Sequence, residues 1–214
     1  MPASPIRKLV PLSNAAKSRG IKVYHLNIGQ PDLPTPPEAL EALKHIDRKV
    51  LEYSPSDGIR SLREKLATYY HRFNIDVTPD DIIVTTGGSE ALLFGFMSTL
   101  NPGDEIIIPE PFYPNYSTFV TLTGATIRPV TTKPEEGYKF AVRERIEACI
   151  NEHTRAILFT NPGNPTGTIL TEEELKLMAD IAKELGVPVK FAGVGEGVDD
   201  LKPFDAVEFA QALI

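Results

Sequence analysis

A single cysteine, Cys149, is all the thiol this 214-residue chain possesses, which excludes an internal disulfide and fits a reducing compartment. Its helical, apolar surroundings favour core packing over reactivity. No apolar run approaches the length that spans a bilayer, and Met1-Pro2-Ala3-Ser4-Pro5 has no signal-peptide core. No long basic run is present, and 29 acidic against 22 basic residues give a net charge of −7. Neither nucleic acid nor membrane is an expected partner. No Gly-Lys-Ser or Gly-Lys-Thr occurs, so a nucleotide P-loop is excluded. Internal repeats and low-complexity segments are also missing. What the chain does have is 42% hydrophobic residues, enough for a substantial core. A soluble, cytoplasmic protein of one large domain, or one domain with an appendage, is the expectation.

Residues 1–35 read as an arm with a short helix near Leu12–Arg19 and a strand-like run at 23–28, closed by the turn cluster Gly29-Gln30-Pro31-Asp32. Helical patterns follow at 37–45 and 59–73. In the second, Leu62, Leu66, Tyr69, Tyr70 and Phe73 form a stripe expected to be buried, leaving Arg63, Glu64 and Arg72 in water. From Asp81 the rhythm changes. Short β-branched runs at 82–85, 106–108, 126–130, 156–159 and 187–194 alternate with helical patterns at 89–100, 115–123, 142–151 and 172–185. The last helix opens on the capping box Thr171-Glu172-Glu173-Glu174 and stops at Gly186. Arg128 and Pro129 demote the third run to an edge strand. Strand alternating with helix predicts an α/β fold, three-layer α/β/α with a mostly parallel, Rossmann-like sheet.

Three loops fall at the carboxyl ends of predicted strands, where open α/β sheets bind ligands. Thr85-Thr86-Gly87-Gly88-Ser89 enters a helix, and its glycines and N-terminal amides suit a phosphate; it reads equally as a capping serine after a glycine turn. Pro109-Glu110-Pro111-Phe112-Tyr113-Pro114 offers Tyr113 as a platform for a flat ring, or as ordinary loop packing. Asn161-Pro162-Gly163-Asn164-Pro165-Thr166-Gly167 offers neutral amide donors, or a plain turn. A phosphorylated aromatic cofactor would use all three.

The ordered set Leu26 to Asp32, Tyr53 with Gly58 and Leu62-Arg63, Thr86 to Ala91, Pro111 to Tyr116, and Asn161 to Gly167 resembles the class I/II aminotransferases. These are fold-type I enzymes dependent on pyridoxal 5'-phosphate. The resemblance runs from residue 1 to about 188. It implies that Gly87, Gly88 and Ser89 bind the cofactor phosphate, Tyr113 stacks on the ring and Asn164 donates to its 3'-oxygen. It further implies that Tyr53 reaches the phosphate of a neighbouring copy, making a homodimer the assembly to expect, and that Gly29 lies beside the substrate carboxylate.

In that family the next strand ends in an acidic segment whose aspartate pairs with the pyridine nitrogen, followed later by a Ser-x-x-Lys lysine and a carboxylate-binding arginine. None has a counterpart here. Lys190, near the same edge, is expected to face solvent, so no catalytic residue and no metal ligand is assigned. The run from Phe191 through Gly193-Val194-Gly195-Glu196 to Phe204 instead resembles the closing strand and helix of the signal recognition particle GTPases and their receptor; GTP is not expected, since every other element of that family is absent. The organisation predicted is an arm at 1–35, an aminotransferase-like large-domain fragment at 36–187, and a GTPase-like strand and helix at 188–214 completing the same domain. Such a chimera, engineered or recombined, would be inactive as a transaminase, with residual cofactor binding at most. The alternatives are an active aminotransferase and a purely structural protein that binds nothing. In the resembling fold two later strands separate the 82–85 and 156–159 runs. Without them, those two runs are expected to pair directly or to leave an edge that pairs with a second copy.

Overall fold

The computed structural model describes residues 7–26, 29, 31–73 and 75–184. The predicted GTPase-like segment at 188–214, with Lys190 and the run 187–194, lies outside the described residues, as does Gly186. The described chain divides into two compact units, 7–56 and 57–184.

In the first unit, α1 (Val10–Lys17) and α2 (Pro37–Lys44) bury no residue. Each has a proline in its first turn, Pro11 and Pro37, whose fixed φ and missing N–H suit that position. Residues 21–26 form no strand; an extended run needs a partner for its N–H and C=O groups.

The second unit contains α3 (Arg60–His71), α4 (Gly88–Thr99), β1 (Glu105–Glu110), α5 (Asn115–Thr123), β2 (Thr126–Thr131), α6 (Arg143–Glu147), β3 (Thr154–Ile157) and α7 (Glu172–Glu184). Among the described residues all pairing is parallel, in the order β2-β1-β3, which leaves β2 at an edge as Arg128 and Pro129 predict. The central strand is short and entirely apolar at its middle. Ile106 and Ile108 point into one core, with Phe96 and Leu100 of α4 and Tyr116 and Val120 of α5. Ile107 points into the other, with Ile146 of α6 and Leu175, Met178 and Ile181 of α7. The two-residue period of a strand therefore builds an α/β/α sandwich around β1. Each of these isoleucines is essentially fully buried, worth ~1.5–3 kcal/mol apiece.

The N-terminal capping box of α7 forms as predicted. Thr171 N–H donates to Glu174 Oε2 at 2.9 Å, and Glu174 N–H donates to Thr171 Oγ1 at 3.2 Å, satisfying two donors that helix geometry leaves open. Burial pushes the Glu174 carboxyl up, but the Thr171 N–H and the Lys139 ammonium outweigh it and hold the group below the ordinary glutamate range. Cys149 packs against the Ile107 core and its Sγ donates to the Arg145 carbonyl at 3.4 Å. Burial raises its thiol pKa, consistent with packing rather than reactivity.

Two expectations fail. The run 82–85 is extended but joins no ladder among the described residues, and Ile83 is exposed. It bonds to a loop instead: Val84 N–H donates to the Asp57 carbonyl at 3.1 Å. β-Propensity gave 82–85 the composition of a strand, but β3 pairs only with β1 there, so direct closure between 82–85 and 156–159 does not occur. The buried stripe of α3 is also displaced. Leu62 and Phe73 are exposed, whereas Arg63 is only 6% exposed. Its guanidinium donates to the Gly58 carbonyl at 3.3 Å and the Pro79 carbonyl at 2.6 Å, and pairs with Asp57 at 2.6 Å. Backbone acceptors in two flanking loops, invisible to helical periodicity, are what bring that charge inside.

Candidate functional site

Gly87 caps α4 with φ 131° and ψ 174°, a region of backbone space that is essentially glycine's own. Its carbonyl accepts the Glu90 and Ala91 N–H groups and the Thr85 hydroxyl. Glu90, in the first turn, reaches back so that Oε2 accepts the Thr86 N–H at 2.6 Å. With those donors satisfied, no described hydrogen bond takes the N–H of Gly87, Gly88 or Ser89. All three residues are exposed. A Cβ on either glycine would meet nothing within 4 Å. Three consecutive amides at a helix start, with open space before them and the helix dipole behind, suit an anion such as a phosphate.

Tyr113 stands at the other end of the same apolar core. Its ring meets Tyr116 edge to face, centroids 5.5 Å apart, and its hydroxyl accepts from Asn115 Nδ2 at 2.6 Å. Tyr116 in turn meets Phe96 of α4 at 6.3 Å. Tyr116 also lines a cavity of about 30 Å³ beyond the carboxyl end of β1, which Glu110, Tyr138, Thr160, Gly163 and Asn164 share. Tyr116 thus connects Tyr113 to Phe96 of α4, the helix that opens at Gly88, and shares the cavity with Asn164; Tyr113 and residues 87–89 do not line that cavity. Gly29 and Tyr53 belong to the amino-terminal unit; Tyr53 is fully exposed there, and a Cβ on Gly29 would meet nothing within 4 Å.

The two asparagines of the 161–167 loop have different duties. Asn161 Oδ1 accepts the Leu170 N–H at 2.9 Å and closes the loop. Asn164 lines the cavity, and its backbone N–H donates to Thr160 Oγ1 at 3.2 Å. Thr166 is a local hub: its Oγ1 accepts from the Thr168 hydroxyl at 2.9 Å and from the Thr168 N–H at 3.3 Å. A side chain at 163 would collide with it at 2.7 Å, which is why glycine stands there. Sequence reasoning missed Glu90, Thr160 and Thr166. For Glu90 a signal existed, since an acid in the first turn of a helix habitually reaches back to a preceding amide.

A parallel α/β/α domain with open amides at a helix start, and with loops bearing Tyr113 and Asn164 beyond its strands, has the layout in which α/β sheets place ligands at strand ends. Residues 21–191 match the family model described as aminotransferase class I and II. The chain belongs to that family. It is 36% identical over 170 residues to an aspartate/prephenate aminotransferase of Thermus thermophilus, a match covering 78% of this chain and 44% of the relative. Among solved structures it resembles an aspartate aminotransferase of Thermus thermophilus with maleate, at TM-score 0.77 and 33% identity, over 86% of this chain and 48% of that one. It equally resembles an alanine aminotransferase of Pyrococcus furiosus, at TM-score 0.78 and 35% identity, over 87% and 48%. The chain spans about half the length of the relatives it matches. No helix among the described residues is long and apolar enough to cross a membrane.

Proposed function

We propose that this chain carries the phosphate-binding and ring-holding half of a pyridoxal 5'-phosphate site, and that the full-length protein it corresponds to transfers an amino group from an amino acid to a 2-oxo acid. The observation that carries the reading is the cradle of Gly87, Gly88 and Ser89, whose amides have no hydrogen-bond acceptor among the described residues, in a chain of this family. When bound, the cofactor supplies the electron sink that transamination needs. The three amides and the Ser89 hydroxyl hold its phosphate, Tyr113 supports one face of the ring, and Asn164 donates to the 3'-oxygen. Tyr53 extends to the phosphate site of a second copy in a homodimer, and Gly29 borders the substrate carboxylate.

By themselves the 214 residues are read as inert in transamination, because no serine in them stands three places before a lysine that could hold the cofactor covalently. The sequence of 188–214 is read as of signal recognition particle GTPase type, which would make the chain a chimera.

Incubation with pyridoxal 5'-phosphate separates the readings. Protection against heat or urea by the cofactor and by inorganic phosphate, without a visible absorbance band that survives dialysis, is the expected result. A stable band with amino-group transfer would establish an active enzyme instead. No protection by either ligand would leave a domain that binds neither.

A further inference from the structure

We infer that Thr160 is a positioning residue that fixes Asn164 for its hydrogen bond to the cofactor ring; this rests on the cofactor site proposed above. The loop bearing Asn164 has an unusual shortage of backbone donors. Pro162 and Pro165 have no N–H, so between 162 and 165 only Gly163 and Asn164 can donate. The Gly163 N–H goes to the Thr168 carbonyl at 2.8 Å, within the loop itself. The Asn164 N–H goes to Thr160 Oγ1. That hydroxyl stands on chain still tied to the sheet, since Leu158 N–H donates to the carbonyl of Ile107 in β1 at 2.9 Å.

Asn161 closes the loop onto Leu170, and Thr166 holds Thr168. Thr160 links the Asn164 backbone directly to chain that is bonded to β1. The Asn164 amide must keep its donor–acceptor distance within a few tenths of an ångström of about 2.9 Å to give a full hydrogen bond. Small displacements at such a site are costly because binding geometry tolerates little error. The threonine acts through Asn164 and does not itself touch the cofactor.

The test uses the whole chain and three ligands: pyridoxine 5'-phosphate, its analogue lacking the 3'-oxygen, and inorganic phosphate. Pyridoxine 5'-phosphate has no aldehyde, so the measurement does not depend on a lysine. Thr160→Val, which keeps the side-chain shape and removes the hydroxyl, should weaken pyridoxine 5'-phosphate binding about tenfold, the worth of one well-placed hydrogen bond. It should leave the deoxy analogue and phosphate within about twofold, the scatter of a role unrelated to the ring oxygen. Thr160→Ser should restore the wild-type pattern. Without ligand, hydrogen exchange at the Asn164 amide should be slow in wild type and in Thr160→Ser, and fast in Thr160→Val.

Equal weakening of all three ligands in Thr160→Val would overturn the inference in favour of a general loss of structure. Unchanged binding together with unchanged Asn164 exchange would overturn it as well. Wild-type protein that binds none of the three ligands would overturn the cofactor site itself and this role with it, a result distinct from a wild type that binds and a variant that does so equally well.

Discussion

Adjacent glycines in the amide cradle should respond to alanine with opposite signs. Gly87 sits at φ 131°, ψ 174°, where a side chain is strained by ~1–3 kcal/mol even though nothing lies near its Cβ. For a domain of this size each kcal/mol moves Tm by about 2–4 °C, so Gly87→Ala should lower Tm by roughly 2–12 °C. Gly88 opens α4 outside the left-handed region, and its Cβ would also meet open space. Gly88→Ala should therefore be neutral or stabilising, by up to ~1 kcal/mol, because alanine loses less entropy in a helix. Yet its methyl group would stand where a phosphate has to approach. Losing one charge-assisted hydrogen bond there is worth ~1.5–3 kcal/mol, which is roughly 10- to 150-fold in affinity. Urea melts with and without phosphate, or with pyridoxine 5'-phosphate, separate the two effects in one experiment. If Gly88→Ala keeps full ligand protection, the cradle is not the phosphate site. If Gly88→Ala destabilises the free domain as much as Gly87→Ala does, the backbone reasoning itself is wrong.

Ile107→Ala should cost ~2–5 kcal/mol, because the side chain is fully buried against two helices; a loss under 1 kcal/mol in urea titration would contradict the sandwich. Arg63→Met should cost roughly 2–4 kcal/mol by abandoning the Gly58 and Pro79 carbonyls, less than a fully buried pair would because Asp57 keeps about half its exposure. A neutral result would show those contacts idle. Thr171→Ala should cost ~1 kcal/mol through its lost cap. For Glu174 the folded pKa lies below the ordinary value, so its stabilisation is present above the unfolded pKa and fades as pH falls through the folded one. The gap in stability between wild type and Glu174→Gln should accordingly be open at neutral pH and close in acid; a gap that persists at low pH would refute the assignment.

Much of this was legible from the residues alone. A glutamate three places after Thr171 announces the cap of α7, and an isoleucine triplet between glycine-bearing loops announces a strand buried on both faces. The 82–85 run shows the limit: its β-branched residues state a preference, while a ladder also requires a neighbour that no local pattern specifies. Arg63 shows the converse, since period alone cannot register that two loop carbonyls and Asp57 would make burial of a charge tolerable. At the site, the ordered motifs pointed to Gly87, Gly88, Ser89, Tyr113 and Asn164. The fasteners Thr160 and Thr166 emerged only from hydrogen bonds that depend on how each turn closes.

The order of strands in the sheet also bears on the sequence in which the walls of the site assemble. β2 begins pairing with β1 across a gap of 21 residues, at Glu105 and Thr126, and β3 across 49, at Glu105 and Thr154. Closing the longer loop costs about 0.7 kcal/mol more entropy, and the shorter one encloses α5, which supplies Tyr116 and Val120 to the same core. The β1-α5-β2 unit, with Tyr113 at its turn, is thus favoured to form before β3 docks. Asn164, beyond β3, would be the later wall to arrive. Pulsed hydrogen exchange during refolding should find β2 amides protected ahead of those of β3, and the reverse order would show that chain closure does not govern how this ligand edge is built.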